Sequence, residues 1–418
     1  LLVCIALYGF LYDILSIIIK KVKGITMETN TELQEKLARI DTRIDEIRKG
    51  TLIVRTKPGS EVIIEQQRHE FLFGTAIANN VCEKYEFAMS DKNREMYIKT
   101  LGENFNYAVH ENALKWYDCE KEQGKVDYYL ADRIWEICEN LNIPMRGHCI
   151  FWDKDEYIMP WLKKLNNDDL RSAIVRRAIS VTSHFKGRIS EFDLNNEMIH
   201  NDFFRRRLGY GIVNEMAWSA KAGNPDITLF VNDYGILVDG GFNADAYITQ
   251  IENLLANGVP IGGIGCQGHR ASSILMPMSA ELVQRNLDRL SKFNLPIKIT
   301  EALFDGPSEK AQAEEMRKIM PVYFAHPSVE AILIWGFWAG AHWQPHTALW
   351  REDWSITPQG EVYRELVFNK WWTKVKGRAD ENGIFKTTAF YGEHMIQSNG
   401  KKQIVKLSKV DKTITVNM

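Results

Sequence analysis

The 418-residue chain has no excess of either charge: 52 Lys and Arg face 54 Asp and Glu, a formal net charge of -2. A nucleic-acid binder normally carries a basic surplus or stripe, so no nucleic-acid partner is expected. Glycine (28) and proline (12) lie near ordinary usage, which excludes collagen-like and low-complexity classes. Cys4, Cys82, Cys119, Cys138, Cys149 and Cys266 are scattered, with no Cys-x-x-Cys pair and no zinc-ribbon spacing. They read as buried free thiols, and nothing demands an oxidising compartment. His148, His269 and a carboxylate lack the spacing of the known metal motifs, so no metal site is expected. What the chain does hold is aromatic surface: 11% of residues, with twelve Trp, fifteen Tyr and nineteen Phe. Flat rings serve as sugar platforms, although most aromatics in a chain this size belong to the core.

Residues 1–19 are apolar except for Asp13 and run into Lys20, Lys21 and Lys23. The stretch approaches the ~20 residues that cross a bilayer, so it reads as an export signal or an anchor. A signal has its positive charge before the apolar run and small residues after it, and neither is present. Lysines after the run would hold the following domain on the cytoplasmic side. A start at Met27 is the competing reading. The expected location is therefore secreted or cell-envelope if the segment is genuine, and cytoplasmic if the protein begins at Met27. Membrane contact is expected only through residues 1–19.

At about 150 residues per domain the length suggests two or three domains, but one α/β barrel of about 250 residues with additions fits equally well. Residues 27–49 space Leu33, Leu37, Ile40, Ile44 and Ile47 at helical intervals. Two β-branched runs, 51–55 and 61–66, flank Lys57-Pro58-Gly59-Ser60 and predict a hairpin. Similar runs at 383–385, 387–391, 404–407 and 413–416, punctuated by Gly392 and Gly400, predict a small β-appendage built from both flanks of the main domain. The expected divisions are 1–26, 27–69, 70–375 and 376–418.

Between residues 70 and 375, short apolar runs alternate with helical patterns. The predicted strands are 71–76, 106–109, 144–151, 189–195, 228–232, 264–267, 296–300 and 332–337; helical patterns include 128–140, 168–185, 244–257 and 279–293. Eight such units predict a closed parallel (β/α)8 barrel. An open doubly wound sheet is disfavoured because no glycine-rich phosphate loop follows the first strand.

Polar residues stand where each apolar run stops, and in such a barrel those ends share one face. In order they are His110, Glu111, Asn112, Lys115 and Trp116; Arg146, His148 and Trp152; Asp193, Asn196 and Glu197; Asn232, Asp233 and Tyr234; Gln267 and His269; Thr300 and Glu301; Trp335 and Trp343. A lone carboxylate at a strand end is commonly a salt-bridge or loop-cap residue. Seven ends in phase are hard to explain by solvation. Glu197 and Glu301, at the fourth and seventh ends, suit glycosidic bond cleavage: one donates a proton to the leaving oxygen while the other attacks the anomeric carbon. Asn196 is placed to hydrogen-bond a sugar 2-hydroxyl, His269 to orient Glu301, and Trp335 and Trp343 to wall the site.

The core resembles the family 10 glycoside hydrolases, the endo-β-1,4-xylanases. Phe73-Gly74-Thr75-Ala76, Glu111-Asn112, Lys115-Trp116, Arg146-Gly147-His148 with Trp152, and Asn195-Asn196-Glu197 carry the likeness. Asn232-Asp233-Tyr234, Gln267-Gly268-His269, Ile299-Thr300-Glu301 and Trp335-Gly336 complete it in the family's order. The resemblance implies a retaining enzyme with Glu197 as acid/base, Glu301 as nucleophile, xylan or xylo-oligosaccharide as substrate, and no cofactor. It also implies that Asn196, His148, Gln267, His269, Trp335 and Trp343 surround the sugar bearing the scissile bond. Glu111, Asn112 and Lys115 then form the next subsite toward the non-reducing end. Some positions depart from the pattern: Phe192 for the usual Trp, Asp153 for His, and Leu303 for Asp, with Asp305 further on. Trp338 and His342 replace commoner small and acidic residues. No departure removes a catalytic group; they bear on chain specificity. A related barrel glycanase acting on glucan or mannan, and a barrel that binds polysaccharide without turnover, are the rival readings.

Overall fold

The computed structural model describes residues 30–238, 240–269 and 278–418, so the apolar run 1–19, Cys4 and Met27 lie outside the described residues. The chain divides into Leu1–Arg43 and Ile44–Met418. In the first unit, residues 30–43 are helical, within a helix spanning Asn30–Arg48. Among the described residues no helix is long and apolar enough to cross a membrane.

The second unit contains β1 (Lys49–Arg55), β2 (Glu61–His69), β3 (Leu72–Ile77), β4 (Tyr107–His110), β5 (Met145–Arg146), β6 (Phe151–Trp152), β7 (Glu191–Asn196) and β8 (Thr228–Asp233). There follow β9 (Ile261–Cys266), β10 (Ile297–Ala302), β11 (Val329–Ile334), β12 (Lys374–Arg378), β13 (Ile384–Phe390), β14 (Gly392–Ser398), β15 (Lys401–Leu407) and β16 (Thr413–Asn417). Strands β3 to β11 form one parallel sheet in the order β5-β4-β3-β11-β10-β9-β8-β7-β6. Its two ends, β5 and β6, are halves of a single interrupted strand. Gly147, between them, donates to Glu191 O at 2.9 Å and accepts from Asp193 N at 3.0 Å. The sheet therefore closes into an eight-stranded barrel, as the alternation of runs predicts. Gly147 is needed there, because a Cβ would sit 2.2 Å from the Phe192 ring.

Capping fixes where several outer helices begin. Asn166, Ser279 and Ser308 accept from the backbone N–H three residues on, starting Asn167–His184, Ala280–Leu290 and Glu309–Phe324. Such a cap contributes about 1 kcal/mol, and Asp168 and Asp169 in the first turn add to it through the helix dipole.

The barrel interior is partly apolar, with Ala76, Tyr107, Val109, Ala331, Leu333 and Trp335 in one cluster, and partly ionic. Fully buried Arg146 forks onto both oxygens of Asp193 (2.9 and 2.5 Å) and donates to Glu191 at 3.0 Å. Lys298 Nζ and the Tyr107 hydroxyl also reach Glu191, at 2.5 and 2.8 Å. Two cations against two anions, each hydrogen-bonded, is the condition under which buried charge is tolerated.

Strands before and after the barrel make two further sheets, β13-β1-β16 and β12-β2-β14-β15. This is the expected appendage, with one correction: β1 and β2 do not form a hairpin. The Lys57–Ser60 turn reverses the chain, with Gly59 at φ +72°. Each strand then enters a different sheet, because Leu52, Val54, Val62 and Ile64 meet across one apolar core with Ala389, Ile396, Leu407 and Val416. Burial of alternate side chains decides the pairing. Cys82, Cys119, Cys138, Cys149 and Cys266 are free and buried.

Candidate active site

The strand C-termini open into a cleft of about 700 Å³ whose walls include thirteen of the twenty strand-end residues read from the sequence, Glu197 and Glu301 among them; His110, Trp116, Arg146, Asp193, Asn232, Asp233 and Thr300 are not part of its lining. Glu197 follows β7 directly and has φ +60°, a left-handed conformation costing of order 1–3 kcal/mol for a non-glycine residue. Its N–H donates to Asn232 O at 2.8 Å, and Glu301 N–H donates to Gln267 O at 2.8 Å. Both glutamates are thus held by ladder bonds to neighbouring strands.

Their carboxyl groups lie on one network. Trp152 Nε1 donates to Glu197 Oε2 at 2.9 Å, and Gln267 Nε2 donates to Glu197 Oε1 at 3.0 Å and Asn196 Oδ1 at 3.3 Å. Asn232 Nδ2 donates to the same Asn196 Oδ1 at 2.9 Å and to Glu301 Oε1 at 2.8 Å. Thr300 Oγ1 donates to Asn232 Oδ1 at 2.6 Å, fixing which way that amide faces. His269 Nε2 donates to Glu301 Oε2 at 3.0 Å. His148 Nε2 stands 3.9 Å from Glu301 Oε1, with its Nδ1 bonded to Asp193 Oδ2 at 2.8 Å.

Charge in the site follows from these contacts. Burial pushes the Glu301 carboxyl upward, but the His269 hydrogen bond and the nearby His148, His269 and Lys115 outweigh it and hold it down to about 2. Glu111 is pushed up by burial, against the pull of Lys115. Asp153, completely buried, is pushed up to about 6 by burial against the pull of Arg205.

On the side assigned to the non-reducing end, Lys115 Nζ donates to Asn112 Oδ1 at 3.0 Å and lies 4.6 Å from the centre of the Trp152 ring. Trp335 is buried edge-on to His148 at 5.2 Å, whereas Trp343 is 55% exposed at 5.6 Å from His269. Sequence reasoning puts Asn232 at the mouth without a role; the structure makes it the link between Asn196 and Glu301. It also misses Tyr117 and Tyr157. Tyr157 stacks on Trp152 at 4.3 Å and on Tyr117 at 5.4 Å, and Tyr117 donates to Asn112 Oδ1 at 3.1 Å. They sit on two single helical turns, Trp116–Cys119 and Asp155–Tyr157, and spacing along the chain carries no signal for a stack between separate turns.

A closed parallel barrel whose mouth carries two networked carboxylates among aromatic walls defines a class, the barrel glycoside hydrolases. Within it the chain belongs to glycosyl hydrolase family 10, whose model matches residues 64–366. It is 36% identical over 362 residues to a protein of Acetivibrio thermocellus named anti-sigma-I factor RsgI6, covering 85% of this chain and 45% of that one. It is 33% identical over 392 residues to endo-1,4-beta-xylanase 1 of Arabidopsis thaliana, covering 90% of this chain and 40% of that one. The chain thus spans less than half the length of these curated relatives. Among solved structures it is similar to xylanase 10B of Thermotoga petrophila in complex with xylobiose (26% identity, TM-score 0.63, 72% of this chain and 95% of that one). It is equally similar to native xylanase 10B of Thermotoga maritima (26%, TM-score 0.64, 72% and 96%).

Proposed function

We propose that this chain is an endo-acting, retaining β-1,4-xylanase that hydrolyses internal bonds of xylan by double displacement. One observation carries the reading: an unbroken hydrogen-bonded path joins Glu197 to Glu301 through Gln267, Asn196 and Asn232. The names of the Arabidopsis relatives and the xylobiose bound to the Thermotoga petrophila enzyme support xylan as the substrate class.

Glu301, ionised above about pH 2, attacks the anomeric carbon. Glu197, half-buried and braced by Trp152 and Gln267, protonates the leaving oxygen and then takes a proton from the water that hydrolyses the glycosyl ester. The Asn196 oxygen is taken by Asn232 and Gln267, which leaves its NH2 for the sugar 2-hydroxyl. Glu111, Asn112 and Lys115 bind the neighbouring xylose, and Trp335 and Trp343 enclose the reacting one.

Proton NMR of the earliest products tests the mechanism. New reducing ends should be β, and an initial α-anomer would overturn double displacement. Rates on xylan against carboxymethyl-cellulose and mannan separate a xylanase from a related glycanase. The relative named as an anti-sigma factor favours a second reading, in which the barrel binds polysaccharide without turnover; xylan binding without released sugar would establish it.

A further inference from the structure

Behind the loop that carries Glu197 lies a second cavity, also about 700 Å³, formed by the segment after Glu197 and the helix Phe242–Ala256. One aromatic wall is shared between the two. Tyr234 lines the catalytic cleft, His200 lines the second cavity, and their rings stack at 3.7 Å and 9°. Asp233 Oδ1 accepts from His200 Nδ1 at 2.7 Å and anchors this wall.

Five carboxamides line the second cavity, Asn201 and Asn257 among them, beside apolar Met198, Ile199, Val213 and Leu254. Asn214 and Gln250 hold side-chain oxygens that are shielded from solvent and have no hydrogen-bond partner, while Asn253 stands exposed at the rim. A buried acceptor left unmet costs stability unless something supplies a donor. At the mouth Tyr210 is 81% exposed, with the Arg205 guanidinium 5.6 Å from its ring centre. Arg205 turns its Nη2 to the carbonyls of Met198 and Asn201, and its Nε is shielded from solvent without a hydrogen-bond partner.

Amides that both donate and accept, beside an exposed ring, match a ligand with a row of hydroxyls on one edge and C–H groups on its face. We propose that this cavity is a second binding site for a neutral β-linked glycan, holding a xylan chain next to the cleft; this rests on the xylanase reading. It carries no facing pair of glutamates, so it binds without turnover. Its purpose is to keep polymer at the enzyme surface, which matters for long or insoluble chains and not for short ones.

The double variant Tyr210→Ala/Asn253→Ala tests this, since neither residue lines the catalytic cleft. On insoluble xylan the half-saturating concentration should rise about tenfold, the scale of losing an aromatic or amide contact. On a nitrophenyl xylobioside kcat/KM should stay unchanged. Xylotriose titrated by NMR into Glu301→Gln should show two binding events, and the weaker should vanish when the double variant is added. A single event unaffected by the variant, or equal losses on polymer and xylobioside, would overturn the second site. Failure of the unmodified protein to cleave the xylobioside would instead sink the xylanase reading, with the titration still reporting directly on the cavity.

Discussion

His269 shows how one contact sets a charge in this cleft. Glu301 is buried in the cleft wall, and burial alone favours the neutral acid. Its carboxyl is nevertheless held to about 2, below the ordinary 4.5, chiefly because His269 donates to it. A carboxyl depressed in the folded state contributes stability above its unfolded pKa, and that contribution is lost as pH falls from 4.5 toward about 2. His269→Ala removes the main opposing contact, so the acid limb of the kcat/KM profile should move to higher pH. At pH 5, kcat/KM should fall about tenfold to a hundredfold, the worth of a hydrogen bond to a charged group. An unmoved limb in a pH–rate series would show that His269 does not control Glu301. The two glutamates should also separate kinetically. Glu301→Gln should abolish turnover on every substrate, whereas Glu197→Ala should be rescued by azide or on aryl glycosides with good leaving groups. Unrescued loss in both would mean the roles are misassigned.

Among the elements, the ionic column inside the barrel is the most vulnerable. Lys298 on β10, Glu191 on β7 and Arg146 on β5 tie three strands together through charge rather than packing. Lys298→Met should destabilise the fold by about 3–5 kcal/mol, because Glu191 loses one of its two cations while staying buried. Adding Glu191→Gln to that variant should recover part of the loss, as read by denaturant unfolding. Most barrel strands were legible from their apolar runs, and the strand ends named most of the cleft. β12 (KVKGR) and β14 (GEHMIQS) were not, since their charged and polar residues on the outward face mask the alternation. The β1–β2 hairpin was misread for a related reason: a Pro-Gly turn states that the chain reverses, not which strand it will pair with. Asn232 escaped a role because its partners Asn196, Thr300 and Glu301 lie on two other strands, a relation that exists only after the barrel closes.

Taken whole, the molecule fastens the flanks of its barrel to each other. Ending the chain after Trp372 would remove the partners of both β1 and β2 and expose Leu52, Val54, Val62 and Ile64. Each of those side chains contributes about 1.5–3 kcal/mol when buried, and two open strand edges invite association with other chains. The shortened protein should therefore melt earlier and sediment as aggregate, whereas a melting temperature equal to that of the full chain would show the appendage to be dispensable.

The parallel pairing of β1 with β16, Thr51 beside Thr413, also has a meaning in time. A ribosome adds about 5–20 residues per second, so β1 is made on the order of half a minute or more before its partner exists. During that interval its apolar stripe has nothing to rest on, although the barrel strands that follow can already begin to associate. A chain cut short between β11 and β12 would hold its barrel strands and have no way to close the sheets beside them. Such a product would stay a client of chaperones and proteases, so maturation of these sheets waits on the synthesis of β16.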